Sequence, residues 1–257
     1  MKRVFLGAIC CLAAPAVGAA SDAAIRTVGY DNVHIRVSDP AKAVEWYVQH
    51  LDGTTPVAGQ VYFGKALIAV VKTNDPKPSA GSVIDHIGFS FPNIALKMKD
   101  LEAAGAKAVS PPREAPGIFK YAFIEDPWGV KIELVEDGER LGFHHVHLSV
   151  KDPQATLDWY HENFGGERAK LRGKLDGLRY GGVWLFASKA NDDPAPSADR
   201  AIMSFGLRVA NIQEATNTLQ GRGIKFPIVP RQLGNLWYAF AEDPNGTRVE
   251  LLQRPPE

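Results

Sequence analysis

The stretch NVHIRVSDPAKAVEWYVQHLDG, residues 32–53, is met again further along the chain as HVHLSVKDPQATLDWYHENFGG, residues 145–166. Their alignment sets His34 on His147, Asp39-Pro40 on Asp152-Pro153 and Trp46-Tyr47 on Trp159-Tyr160. A second pair agrees with it: YAFIEDPWGVKIELVE, residues 121–136, matches YAFAEDPNGTRVELLQ, residues 238–253. Between them FPNIALKMKDLEAAGAK, residues 91–107, matches VANIQEATNTLQGRGIK, residues 209–225. Beyond its first residues the chain is a duplication, and a duplication governs how every shorter motif is read.

Each half repeats itself more faintly, since residues 32–53 and 86–105 both read as a short strand followed by an amphipathic helix. In the first strand Val33, Ile35 and Val37 alternate with Asn32, His34 and Arg36, which puts apolar side chains on one face and polar ones on the other. Asp39 is placed to cap the helix and Pro40 to occupy its first turn. Ala43, Val44, Tyr47 and Leu51 then recur near helical spacing, so that one face of the helix can cover the sheet. Residues 60–63 and 66–72 read as further strands, and Asp126-Pro127-Trp128-Gly129 and Asp243-Pro244-Asn245-Gly246 as tight turns closing hairpins. The pattern predicts four similar modules, two in residues 28–137 and two in residues 143–253, with residues 137–142 as the link.

The chain of 257 residues opens with Met1-Lys2-Arg3, an apolar run from Val4 to Ala14, and small residues ending Val17-Gly18-Ala19-Ala20-Ser21. That is the three-part pattern of a secretory signal peptide over residues 1–20, and it predicts a periplasmic or secreted protein. The apolar run is shorter than the roughly 20 residues a membrane span needs, so no span is expected. Both cysteines, Cys10 and Cys11, lie inside it, so the processed chain would carry no thiol, which excludes disulfides and thiolate metal sites. With 29 basic against 29 acidic residues and no basic stripe, nucleic acid is excluded as a partner. The apolar content of 45% suffices for two modest cores, one per half. The expected partner is a small molecule, and the expected state a monomer or homodimer.

A first strand of this kind running into a helix with Trp-Tyr, then DHIGF at residues 85–89, then EDPWGVKIEL at residues 125–134, resembles the vicinal-oxygen-chelate superfamily. Glyoxalase I, bleomycin-resistance proteins and extradiol dioxygenases are its members, and the resemblance runs over residues 31–253. It implies an α+β fold in tandem: four βαβββ modules forming curved mixed sheets around a cavity, with helices on the outer faces. It also implies a divalent metal on the concave polar face, held by the first strands of two paired modules and the last strand of one or both. Carried over by position, the first-strand sites are Asn32, His86, His145 and Ser204, and the last-strand carboxylates are Glu133 and Glu250. Asn32 and Ser204 are poor ligands for a transition metal. Pairing of modules within each half would leave two damaged sites. Exchanged pairing, first with fourth and second with third, would assemble His86, Glu133 and His145 into one intact set and leave Asn32, Ser204 and Glu250 in a degenerate one; this distribution favours the exchange.

His86, Glu133 and His145 each lie on the polar side of a strand whose other face is apolar, flanked by Ile87 and Phe89, Ile132 and Leu134, and Val146 and Leu148. A wetted sheet surface would show the same alternation. Three ligands on one face would leave neighbouring positions of an Fe, Mn, Zn or Ni ion open to a substrate with two adjacent oxygens, the metal acting as a Lewis acid. His34 and His147, two residues beyond first-strand positions, and Tyr121 are candidate substrate contacts; strict alternation turns His144 the other way. No residue is assigned as catalytic. The resemblance implies a lyase, isomerase or ring-cleaving dioxygenase; the alternative is a metal-free small-molecule binding protein of bleomycin-resistance type. The extra glutamate typical of glyoxalase I is absent from residues 67–71 and 185–188, and Ser204 breaks the second-half triad of a two-domain extradiol dioxygenase. Export is checked by N-terminal sequencing of protein recovered outside the cytoplasm: a start near Ala20 or Ser21 is expected, and a start at Met1 sinks the signal-peptide reading.

Overall fold

The computed structural model describes residues 24–255; the expected signal peptide and both cysteines lie outside the described residues. The first module consists of β1 (Thr27–Val37), α1 (Pro40–Leu51), β2 (Gln60–Phe63) and β3 (Ala66–Lys72). The second has β4 (Ile84–Ser90), α2 (Ile94–Ala103), β5 (Lys107–Ala115), β6 (Phe119–Glu125) and β7 (Lys131–Val135). The third has β8 (Gly142–Val150), α3 (Pro153–Phe164), β9 (Glu167–Leu171), β10 (Leu175–Tyr180) and β11 (Val183–Lys189). The fourth has β12 (Ile202–Val209), α4 (Ile212–Gly221), β13 (Lys225–Leu233), β14 (Leu236–Glu242) and β15 (Arg248–Gln253). Only the first module falls short of βαβββ. Its expected second strand shrinks to a bridge between Thr54 and Tyr62, in a stretch where Pro56 has no N–H to give a ladder.

Each helix starts as its sequence directs. Asp39 accepts from the Lys42 N–H at 3.2 Å and Asp152 from the Ala155 N–H at 3.0 Å, each with a proline in the first turn. Asn93 and Asn211 cap the other two helices in the same way. Within every module the first strand runs parallel to the last, as β1 to β3, β4 to β7, β8 to β11 and β12 to β15. Modules then join through antiparallel first strands, β1 with β12 and β4 with β8. The result is a seven-stranded sheet in the order β13-β14-β15-β12-β1-β3-β2 and an eight-stranded sheet in the order β5-β6-β7-β4-β8-β11-β10-β9. The first module therefore pairs with the fourth and the second with the third, across the halves.

Two separate cores do not form. Apolar residues of both sheets and all four helices belong to one continuous core, from Val33, Ile35 and Tyr47 through Ile87, Phe89 and Leu101 to Tyr160, Phe164, Phe205 and Leu219. Helix-borne polar groups explain why it cannot divide. The Trp46 indole donates to the Ala104 carbonyl at 2.9 Å, and the Tyr47 hydroxyl donates to Asp126 at 2.8 Å, so the first module's helix is docked on the second module. Tyr160 does the same to Asp243 at 3.0 Å in the other half. Asp126 also accepts the Trp128 and Val130 N–H groups, which shapes the turn, while burial pushes its carboxyl up to about 6. The recurring Trp-Tyr and Asp-Pro motifs thus join modules within a half, while the sheets join modules across halves. Among the described residues no helix is long and apolar enough to cross a membrane. Tyr47→Phe and Tyr160→Phe should each cost about 1–3 kcal/mol in urea unfolding, the penalty for leaving a buried carboxyl oxygen without its partner; unchanged stability would show that the hydroxyls do not join the modules.

Candidate metal centre

The joint between β4 and β8 sets His86 opposite His147 and Gly88 opposite His145, and the parallel pairing of β4 with β7 sets Gly88 opposite Glu133. Four side chains meet on this face. One ligand atom from each of His86, Glu133, His145 and His147 lies within 4.8 Å of all the others, and among the described residues they form the one such group of three or more. Ligands on opposite sides of an ion bound at about 2.0–2.2 Å stand roughly 4 Å apart. The cluster is thus within a few tenths of an ångström per side chain of the spacing one ion would impose. Gly88 makes this possible: a methyl group at its Cα would fall inside the His145 ring. The walls are aromatic, with Phe123 edge-on to His86 at 5.0 Å and Phe186 edge-on to His145 at 5.3 Å.

The polar atoms are aimed inward without being satisfied. His86 Nε2 lies 3.1 Å from Glu133 Oε2, and His145 Nε2 lies 3.0 Å from the same oxygen. The second contact is out of line for a hydrogen bond, which leaves His145 Nε2 unpartnered, and His147 Nε2 is buried and unpartnered too. Unpaired buried polar atoms cost free energy, so convergent ones argue for an absent occupant. Burial pushes the Glu133 carboxyl up, but the adjoining His145 and His86 rings outweigh it and hold the carboxyl well below the usual range. Burial pushes His145 and His147 down, leaving both as neutral rings, the form that binds metals. His86 is the exception: burial lowers it, yet Asp85 and Glu133 on its two nitrogens raise it above the ordinary value. Three imidazoles and one carboxylate are a donor set for Zn, Fe, Mn or Ni rather than for Ca or Mg. The residues present therefore fit a divalent transition ion.

The other sheet carries the register-equivalent site with different residues. Asn32 stands opposite Gly206 and Gly206 opposite Glu250, while His34 stands opposite Ser204. Asn32 donates to Glu250 Oε2 at 2.8 Å and His34 Nε2 lies 3.3 Å from the same oxygen. Here burial wins: it pushes Glu250 up to about 8, the Asn32 hydrogen bond offsetting only part, and pushes His34 down to about 4. The close His34–Glu250 contact at neutral pH is accordingly one between neutral groups, not an ion pair.

Of the residues singled out from sequence, His86, Glu133 and His145 come together, and His147 joins them directly. His34 lies in the other sheet because β1 pairs with β12, so it neighbours Glu250 instead. Tyr121 is one ring removed, stacked edge-on against Phe123 at 5.9 Å. His144 corrects the alternation argument: it is buried with its Nδ1 2.8 Å from His145 Nδ1. Asp85, 2.7 Å from His86 Nδ1 and held by Lys131 at 2.6 Å, was missed altogether. Gly88 was missed as well, although a glycine inside a strand is the kind of signal that marks a close approach.

A family model described as Glyoxalase/Bleomycin resistance protein/Dioxygenase superfamily matches the chain twice, over residues 29–134 and 142–251. Among solved structures, glyoxalase I from Zea mays superposes with a TM-score of 0.68 at 17% identity, covering 89% of this chain and 92% of that one. A putative dioxygenase from Bacillus subtilis subsp. subtilis str. 168 superposes with a TM-score of 0.64 at 18% identity, covering 91% and 87%. At these identities the likeness is one of fold. No curated protein matches the sequence.

The degenerate site generates a pH test. Glu250 shifts from 4.5 unfolded to about 8 folded, so its contribution is fully present below pH 4.5, falls as pH rises, and is gone above about 8. Glu250→Gln copies the protonated acid without titrating. Relative to the wild type it should gain on the order of a few kcal/mol between pH 5 and pH 8.5 in denaturant unfolding. A difference between the two proteins that does not change with pH would mean that Glu250 is ionised in the fold.

Proposed function

This chain belongs to the glyoxalase/bleomycin resistance protein/dioxygenase superfamily, and from that premise we propose that it is a metal-dependent enzyme acting on a small molecule with two neighbouring oxygens. The observation that carries the reading is the convergence of His86, Glu133, His145 and His147, with two ring nitrogens buried and unpartnered. His86, Glu133 and His145 would hold one divalent ion of the Fe, Mn, Zn or Ni class. Bound there, the ion would supply Lewis acidity to the substrate's oxygens.

The remaining chemistry falls to the chain itself. His147, neutral and with a free Nε2, can complete the ligand set or accept a proton from a bound substrate. Phe123, Phe186 and Trp184 line that face, the last two stacked at 5.2 Å, and would exclude water and favour a substrate with an apolar portion. This supports a lyase, isomerase or dioxygenase of the superfamily's type. The neutral set around Glu250 supports one ion per chain rather than two. The leader-like segment supports action outside the cytoplasm, on a small molecule present there.

The test is metal stoichiometry on protein stripped with a chelator and titrated with Zn, Mn, Ni and anaerobic Fe(II). Wild type should take up one ion per chain. His86→Ala, Glu133→Ala and His145→Ala should each lose it, and Glu250→Gln should keep it. If the wild type takes up none of the four ions, the metal-dependent reading fails and the metal-free binding protein stands in its place.

A further inference from the structure

The register of β4 against β8 skips a residue twice: it passes from Ile84 to His86 on one strand, and from His145 to Phe143 on the other. The skipped residues are Asp85 and His144. The β1–β12 joint skips Asp31 and Met203 at the equivalent places. A bulge of this kind breaks alternation and re-aims a side chain, here bringing the residue before each histidine onto that histidine's outer nitrogen. For His86 the outer partner is Asp85. For His145 it is His144, and behind it the chain continues: His144 Nε2 lies 3.3 Å from Asp137 Oδ2, and Asp137 Oδ1 takes the Arg172 guanidinium at 2.6 Å. His144 and Asp137 are both buried and neither belongs to the metal cluster.

The protons along this chain can be placed. The Asp137 carboxylate can only accept, so His144 carries its proton on Nε2 and turns its Nδ1 lone pair toward His145. The single proton of the neutral His145 ring must then sit on Nδ1, pointing at His144 Nδ1, 2.8 Å away. Two nitrogens that close share one proton, and His144 Nδ1 accepts it. The His144 Nε2–H faces Asp137, whose other oxygen is held by Arg172. Every donor on the line points outward, and the one lone pair left over is His145 Nε2, aimed into the cluster. We infer that His144 and Asp137 are positioning residues: through His144, the Asp137 carboxylate holds His145 in the Nδ1–H tautomer and presents Nε2 to the ion. The inference rests on the metal reading above for its purpose. Its geometry does not depend on an ion being bound.

Two substitutions separate this role from packing. His144→Phe keeps ring volume in a buried site and removes the acceptor, whereas His144→Asn loses volume and keeps a carbonyl oxygen near the place of Nδ1. Outer partners of metal-bound histidines are typically worth about 10–100-fold in affinity. His144→Phe should therefore weaken Zn binding by that factor, with His144→Asn restoring most of it. A second readout needs no metal: nitrogen-15 chemical shifts of the labelled apo protein should show His145 as the Nδ1–H tautomer in wild type and His144→Asn, and as a mixture in His144→Phe. Equal Zn affinity in wild type and His144→Phe, or an Nε2–H tautomer of His145 in the wild type, overturns the inference. Absence of Zn binding in the wild type with the tautomer pattern intact would remove the metal reading and leave the relay standing.

Discussion

A slip of β8 by one residue against β4 would turn His145 and His147 out of the concave face and carry Val146 and Leu148 into it. The site depends on that register before it depends on any ligand. Side-chain direction alternates with a period of two, so the slip would take two nearly fully buried apolar residues out of the core and bury histidines in their place. What holds the register is therefore the core behind the sheet, where the helices pack. Glycine has a part in it too. Gly88 lies between Glu133 and His145 in the ladder, and any other residue at that point would displace the His145 ring.

The same plan, built twice, gives two electrostatic outcomes. Glu133 and Glu250 occupy equivalent last-strand positions and both are buried. Beside Glu133 are two imidazoles, His145 at 3.0 Å and His86 hydrogen-bonded at 3.1 Å, whose presence outweighs its desolvation, so the carboxyl is an anion. Beside Glu250 are one amide and one histidine that burial keeps neutral, with the Asp31 charge opposing ionisation, so the carboxyl keeps its proton. Coulombic support from neighbours decides which of the two a buried carboxyl becomes. An amide in the place of His145, a hydroxyl in the place of His86 and the Asp31 charge nearby accompany the change from an anionic set to a neutral one.

Much of this could be read from residues alone, and what could not has a physical reason. The duplication, the helix starts at Asp39 and Asp152, and the exchanged partners all follow from periodicity or from where Asn32 and Ser204 fall. His144 could not be placed, because a bulge suspends alternation at the residue that matters and nothing in the local pattern HHVHLSV announces it. Tyr47 was read as helix periodicity, and the Trp-Tyr pairs as a repeated motif of the resemblance. Their polar atoms turned out to bind Ala104 and Asp126, contacts remote in sequence that no local spacing encodes. For the same reason one core appeared where two were expected: an apolar content counts the residues available, not the surfaces that meet.

The two kinds of joint arrange the modules as a closed ring, sheet to sheet across the halves and helix to turn within them. At each sheet joint the module that ends and the module that begins bring corresponding residues together. Asp137 follows β7 and meets His144, as Arg254 follows β15 and meets Asp31, the latter at 2.7 Å. The order of charge is reversed between the joints, and the first-strand side chains answer to it. Asp31 is an acceptor, and it takes the Asn32 amide at 3.2 Å, so that the same NH2 group also serves Glu250 and a donor faces inward. His144, tied to Asp137, is an acceptor toward His145 as well, but an imidazole answers by putting its only proton outward and its lone pair inward. An inward donor suits a protonated acid, and an inward lone pair suits a cation. The difference between a neutral pocket around Glu250 and the anionic cluster around Glu133 thus follows which side chain must satisfy an outward-lying acceptor at the joint.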